Sequence, residues 1–279
     1  GYGSIKLRIL ETDTIDGILK FSQTIAIPIF LFLSVIKINL LSVFDLSLLS
    51  SYYFGAITCF FIGLILSKVL FACSTDEAIT IGFSILFSNS VLFGLPITEI
   101  VYGKESIGAN LAIISIHAPL CYFIGITAME IFTRAKPYFL QTFISIFRSI
   151  FSNMISVSLL LGLLFNLANI QLFAPLLKTF ELISVGAIPL ALFGMGGVLV
   201  RYKLASHIGK VSLILVCSLL LHPLLTFMLA KFYFSLSIDA VRSAVITASM
   251  APGINAFIFA GLYKKGQPTA AAAVLLCTP

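Results

Sequence analysis

Hydrophobic positions in this chain do not alternate with polar ones. They run together in blocks, and short stretches between the blocks carry nearly all the charge. Nine charge-free runs result, lettered A to I in order: Phe21–Ile36, Leu46–Ser67, Ala78–Thr98, Ser106–Met129, Ser149–Leu177, Leu182–Val200, Val211–Ala230, Ser243–Tyr263 and Gly266–Pro279. A membrane-crossing helix needs roughly 20 predominantly apolar residues, and all but A and I meet that length. Run A is shorter and must borrow flanking residues, with Lys20 or Lys37 reaching back to the interface along its aliphatic stem. Run I stops at Pro279, so the chain is expected to be clipped at its C-terminus, and at its N-terminus as well. The pattern predicts an all-α polytopic membrane protein, because lipid tolerates only backbone that satisfies its own hydrogen bonds.

Composition agrees. Of 279 residues, 59% are hydrophobic and 10% charged, with mean hydropathy +1.12; an average soluble domain is about 25% charged. A cytosolic enzyme, a nucleic-acid-binding domain and a secreted disulfide scaffold are therefore excluded. The net charge of +6 reads as basic loop anchoring. Cys59, Cys73, Cys121, Cys217 and Cys277 are scattered without a CxxC or Cys/His cluster and read as small core residues. The polar opening Gly1-Tyr2-Gly3-Ser4 is not that of a signal peptide.

Lys and Arg set the orientation. The loops that include Lys20, Lys68, Arg134, Lys136, Arg148, Arg201, Lys203, Lys210, Lys264 and Lys265 outweigh the alternate set of Lys37, Lys104, Lys178, Lys231 and Arg242. The first set is assigned to the cytoplasm. With no tryptophan present, tyrosines near run ends, Tyr52 and Tyr53 among them, are assigned to the interfacial belt, and only Tyr122 is central.

Run A carries Ala26-Ile27-Pro28-x-x-Leu31-Phe32, and run F repeats this AIPxxLF pattern from Ala187 to Phe193, each with a serine upstream (Ser22, Ser184). Five crossings separate them, so they run in opposite directions, which predicts an inverted-topology repeat. Run C holds Ser88-Asn89-Ser90 with Gly94 and Pro96. Run H, again five crossings on, holds Pro252-Gly253 and Asn255. Proline removes a donor and clashes with the carbonyl four residues back. A mid-membrane asparagine is costly unless bonded. Paired breaks in corresponding runs point to a binding site near the midplane. Pro28, Pro119, Pro189 and Pro223 read as structural kinks. His117 and His222 read as bonded core histidines or, alternatively, as proton-responsive groups.

The Asn89-x4-Gly94-x-Pro96 run with Tyr102-Gly103, the Ala251-Pro252-x2-Asn255-x-Phe257 run and the AIPxxLF segments together resemble the auxin efflux carrier family, which includes bacterial malonate-type permeases. The resemblance covers essentially the whole chain. It implies inverted five-helix repeats in which helices four and nine are broken at prolines and cross, with runs A to I as helices two to ten. Residues 1–132 would then be the first repeat without its first helix, 133–148 a cytoplasmic connection, and 149–279 the second repeat with its last helix clipped. It also implies a moving bundle of C, D, H and I against a scaffold of A, B, F and G.

The function so indicated is a secondary transporter of a small organic anion working by alternating access in the cell (inner) membrane. The alternative is an ion-coupled or proton-coupled antiporter, or a channel, of related fold. The candidate substrate-binding residues are Ser88, Asn89, Ser90, Gly94, Pro96, Pro252, Gly253 and Asn255. The expected partners are the anion and the bilayer, with a homodimer as the candidate assembly, no nucleic acid, no cofactor and no metal. No HExxH, GxSxG or paired-Asp motif suggests an enzyme. Runs C and H have no carboxylate in their middles, which weighs against the antiporter.

Overall fold

The computed structural model describes residues 1–37, 44–133, 144, 147–148, 151–152, 154–198, 200 and 208–276. Residues 134–143 of the expected cytoplasmic connection, with Arg134 and Lys136, lie outside this set, as do Arg201, Lys203 and Cys277. The described residues are helical and form no strand; their one β-type contact is an isolated bridge. Among the described residues, five helical runs are long and apolar enough to cross a membrane: Thr12–Lys37, Leu46–Phe71, Gly108–Thr133, Ala174–Ala191 and Ile208–Tyr233.

Run A is longer than its charge-free stretch. Helix continues back through Lys20 and Asp16 to Thr12, because an acidic first turn suits a helix N-terminus. Run E is shorter. Its helix, Met154–Leu167, stops where Asn169 takes a left-handed conformation, and Ile170 N bonds back to Phe165 O. The next helix, Ala174–Val198, starts with Pro175 in its first turn. No charge marks this turn, so a boundary drawn from charges misses it.

Three prolines share a device. Pro28, Pro96 and Pro223 each follow, two residues on, a five-residue π-helical segment: Ser22–Ala26, Ser90–Gly94 and Cys217–Leu221. The wider π turn relocates the carbonyl that the proline ring would otherwise strike. Pro119 and Pro189 lie inside continuous α-helix instead.

The chain forms two compact units, each drawn from both halves of the sequence. Unit 1 comprises Gly1–Leu40 and Arg148–Lys203. Its Thr12–Lys37 run packs on Ala174–Val198 and on Met154–Leu167. Ile15 and Leu19, both buried, press on Gly197 and Gly194. The serine upstream of the first AIP segment reaches the second within this unit, where Ser22 Oγ donates to Ala187 O at 3.2 Å. Asn166 Nδ2 donates to Val35 O at 2.8 Å and so supplies one of the last carbonyls of the Thr12–Lys37 run. Lys37 and Lys178, two of the minority basic set, both meet Glu181, Lys37 at 3.1 Å.

Unit 2 comprises Leu41–Phe147 and Leu204–Pro279. We label its helices α1 (Leu46–Phe71), α2 (Thr75–Leu86), α3 (Leu95–Tyr102), α4 (Gly108–Thr133), α5 (Ile208–Val216), α6 (His222–Met228), α7 (Ile238–Ala248), α8 (Ile254–Tyr263) and α9 (Gln267–Leu276). Asp45 caps α1 by accepting from Ser47 N at 2.7 Å. Helices α1 and α2 approach closely at Gly82, where an added Cβ would lie 2.8 Å from Phe60 O. Phe83 and Phe259 stack at 3.8 Å between α2 and α8.

This unit corrects the expected division of the runs. B and G pack with C, D, H and I, and do not join A and F. The reason is the tight α1–α2 seam at Gly82 and the α1–α6 contact around Gly55, where Thr226 and His222 lie just over 3 Å from a Cβ position. At the Thr75 end of α2, Lys210 meets Glu77 at 2.6 Å, Lys265 meets Asp76 at 3.0 Å, and Lys68 meets Thr75 Oγ1 at 3.0 Å. Three residues of the majority basic set thus converge on one end of one helix.

Candidate functional site

Helix α2 ends at Leu86, because Phe87 (φ −90°, ψ 88°) and Asn89 (φ −81°, ψ 55°) leave helical geometry; helix resumes at Ser90. Helix α7 ends at Ala248 and α8 starts at Ile254 after an extended Gly253. A proline biases its predecessor away from α geometry, so Pro252 prevents the helix running through Ala251. Each break leaves backbone groups without a ladder partner, and the two breaks satisfy each other. Asn89 N donates to Ala251 O at 2.7 Å, and Gly253 N donates to Phe87 O at 2.8 Å. Ser88 and Pro252 face one another between these bonds as an isolated antiparallel bridge. That position in the ladder needs no amide hydrogen, so Pro252 costs no bond there.

The breaks therefore meet within unit 2, where one segment passes the other at the Ser88–Pro252 bridge. Pro252 lies in its break; Pro96 lies beyond the other, in the continuous helical stretch Ser90–Tyr102, where it follows the π segment. Gly94 and Gly253 both face protein. A Cβ on Gly94 would meet Met250 Cγ at 3.2 Å, and one on Gly253 would meet Phe87 Cδ1 at 3.4 Å and Asn89 Cα at 3.6 Å. In this conformation their small size serves helix approach at the crossing.

The side chains are polar and almost all neutral. Ser88 Oγ lies 2.7 Å from Tyr52 Oη and 2.6 Å from Ser90 Oγ. Asn89 is buried, and its Nδ2 has no hydrogen-bond partner. Asn255 is half-buried and accepts from Tyr122 Oη at 3.0 Å, a bond that does not use its NH2 donors. No acidic side chain is hydrogen-bonded to either break among the described residues. His117 and His222 are buried in the same unit, each in edge contact with the Tyr52 ring, at 5.9 and 4.9 Å between centroids. The structure thus places all ten sequence-selected positions in unit 2, with seven of them at or next to the crossing.

Tyr52 and Tyr53 are not belt residues. They are 0% and 6% exposed; Tyr52 Oη reaches Ser88, and Tyr53 Oη donates to Ile113 O at 2.7 Å. The signal that could have found them is depth, for both lie more than a turn inside a 26-residue helix, where a phenol needs a partner. Tyr2, Tyr102 and Tyr233 are exposed, as belt residues are. Asn110 was also passed over. It is buried in α4, with Nδ2 2.8 Å from Thr247 Oγ1 on α7 and 3.2 Å from Thr98 Oγ1 on α3.

Phe93 N bonds to Asn89 O and Ala256 N to Gly253 O, so the amides left without an acceptor in their own helices are those of Ser90, Val91 and Leu92 and of Ile254 and Asn255, at helix starts that carry positive dipole ends. Together with Asn89 Nδ2 they form a set of donors without a counter-charge. Such a set can hold a carboxylate through charge-assisted hydrogen bonds. A family model described as membrane transport protein matches residues 1–278. No curated protein matches the chain.

Proposed function

The chain belongs to that family, the auxin efflux carrier type of membrane transport protein, and is a multi-pass membrane protein; from this premise we propose that it carries a small organic anion across the cell (inner) membrane by alternating access. The observation that carries the reading is Asn89 Nδ2, a buried donor left without a partner beside the crossing of two broken helices. Buried polar groups are ordinarily bonded, so an unbonded amide among unladdered backbone donors is a place prepared for an acceptor. A carboxylate is an acceptor-only group and suits donors that bring no competing negative charge.

The mechanism in this reading is displacement of unit 2, which holds both breaks, as one body relative to unit 1. The AIPxxLF recurrence supports an inverted repeat, with Pro28 and Pro189 as equivalent positions. Transfer of an anion through the membrane potential is worth about 2.3 kcal/mol per charge per 100 mV, so the potential alone can drive net export.

The test is binding of a panel of simple carboxylates, from acetate and benzoate to malonate and oxalate, to the full chain in lipid nanodiscs. Folded Asn89→Leu and Asn255→Leu should bind the best of them about five- to hundred-fold more weakly, the consequence of losing about 1–3 kcal/mol. Their thermal stability should change less. Unchanged affinity in both variants would defeat the assignment, and a parallel loss of stability and binding would make the asparagines braces for the broken backbone.

A further inference from the structure

The hydroxyl of Ser88 connects the crossing to a buried imidazole. Besides Tyr52 and Ser90, Ser88 Oγ has His117 Nε2 at 3.5 Å. A hydroxyl offers one proton and two lone pairs, so three neighbours fill it, and the direction of each bond depends on which neighbour carries a proton. If His117 is neutral with a bare Nε2, Ser88 can donate to it. If His117 is protonated, Nε2–H must donate to Ser88, and the Ser88 proton turns toward Ser90 or Tyr52, toward the crossing. The other ring nitrogen has Cys121 Sγ at 3.8 Å as a weak acceptor.

The groups around His117 come from every element packed on it. They are Tyr52 and Tyr53 from α1, Phe87 and Ser88 from the break, and Cys121 from its own helix, with His222 of α6 also in edge contact with the Tyr52 ring. None of them carries a fixed charge. An imidazolium there is therefore a buried cation without a partner, and burial of an unpaired charge is strongly unfavourable. An anion at Asn89, the residue next to Ser88, changes that balance by placing a counter-charge one hydroxyl away.

His222 is built differently. Its Nε2 lies 3.3 Å from Tyr52 O, and a carbonyl only accepts, so Nε2 carries the hydrogen of the neutral ring. Its Nδ1 is buried and has no partner to receive a second N–H. A second N–H on this ring would find no acceptor, while His117 has one for each N–H.

We propose that His117 is a proton-binding site coupled through Ser88 to the anion at the crossing, so that anion and proton occupy the protein together. The proposal rests on the anion reading of the crossing. Coupling of two ligands is reciprocal: the anion draws a proton onto His117, and a lower pH tightens the anion.

The experiment measures affinity of the tightest carboxylate of the panel for the full chain in nanodiscs between about pH 5 and 8, where imidazole titrates. Proton uptake on adding that carboxylate is followed in weakly buffered solution with an indicator dye. Affinity should rise as pH falls, by up to about tenfold per pH unit for one coupled proton, with net proton uptake. His117→Gln should abolish the uptake and flatten the profile while retaining binding at high pH. Ser88→Ala should flatten it with His117 intact, and His222→Gln should leave it in place. The carboxylate's own titration is common to all these proteins and cancels in the comparison. Binding by the wild type without proton uptake overturns the coupling and leaves the anion reading standing, a result that holds even if His117→Gln does not fold. A pH profile that survives His117→Gln or Ser88→Ala, or that is lost only in His222→Gln, also overturns it. Failure of every carboxylate to bind the wild type overturns both readings.

Discussion

The two compact units are built from the same kind of sequence, yet their interiors differ in kind. Unit 1 is held by apolar side chains seated on glycines, Ile15 on Gly197 and Leu19 on Gly194, and its buried Ser22 spends its proton on a backbone carbonyl within the unit. Among its described residues, the buried side-chain amide nitrogen without a partner is Gln23 Nε2, on a half-buried residue. Unit 2 buries Ser88, Asn89, Ser90, Asn110, His117 and His222 in one interior, and leaves donors such as Asn89 Nδ2 unspent. Glycine-mediated contact maximises dispersion between helices where lipid supplies no hydrophobic drive. Buried polar groups left unbonded are a cost that packing alone does not explain. Unit 1 therefore reads as structure, and unit 2 as structure that has kept hydrogen-bonding capacity in reserve.

That contrast breaks or holds on substitution. The largest effect on folding should come from Gly197→Leu. Its Cβ would lie 2.6–2.8 Å from three atoms of the Ile15 side chain, and overpacking of this kind costs about 1–3 kcal/mol, occasionally more. Yield and thermal stability should fall, while the fraction that folds binds carboxylate as the wild type does. Asn89→Leu should behave in the opposite way, and if both variants failed in the same manner the functional distinction between the units would collapse.

A smaller effect is expected for Ser22→Ala. It removes a single neutral hydrogen bond to a carbonyl that lies in a helix, worth about 0.5–1.5 kcal/mol. A lowered thermal midpoint with unchanged carboxylate affinity would sharpen the comparison, and a change in affinity would blur it.

The smallest effect lies at the end of α2. Ser74 Oγ donates to the Asp76 carboxylate, and this bond, followed by those from Lys265 and the Glu77 amide, holds the Asp76 carboxyl below its ordinary range. A carboxyl depressed in the folded state stabilises the fold above the unfolded value, about pH 4, and that contribution disappears as pH falls through the folded value. Ser74→Ala should therefore lower the thermal midpoint slightly at neutral pH, and the difference from wild type should close on acidification. A difference that persists in acid would assign the effect to the helix start alone.

The blocks of hydrophobic residues determined by themselves that the chain is helical and membrane-spanning, since no other backbone arrangement of such blocks survives in lipid. Pro252 and Gly253 marked one break and Asn89 the other, while Pro96, expected to break run C, lies in continuous helix behind its π segment. The helix end at Asn169 escaped because a turn can be made by one left-handed residue without any charge. Only the tertiary structure decided that Ser88 and Pro252 face each other, that Tyr52 and Tyr53 point inward, and that runs B and G pack with the broken helices. Each of these depends on which face of a helix meets which neighbour. A uniformly apolar helix does not encode that choice in its pattern; close contacts such as Gly82 on Phe60 and hydrogen bonds such as Tyr52 to Ser88 make it once the chain has packed.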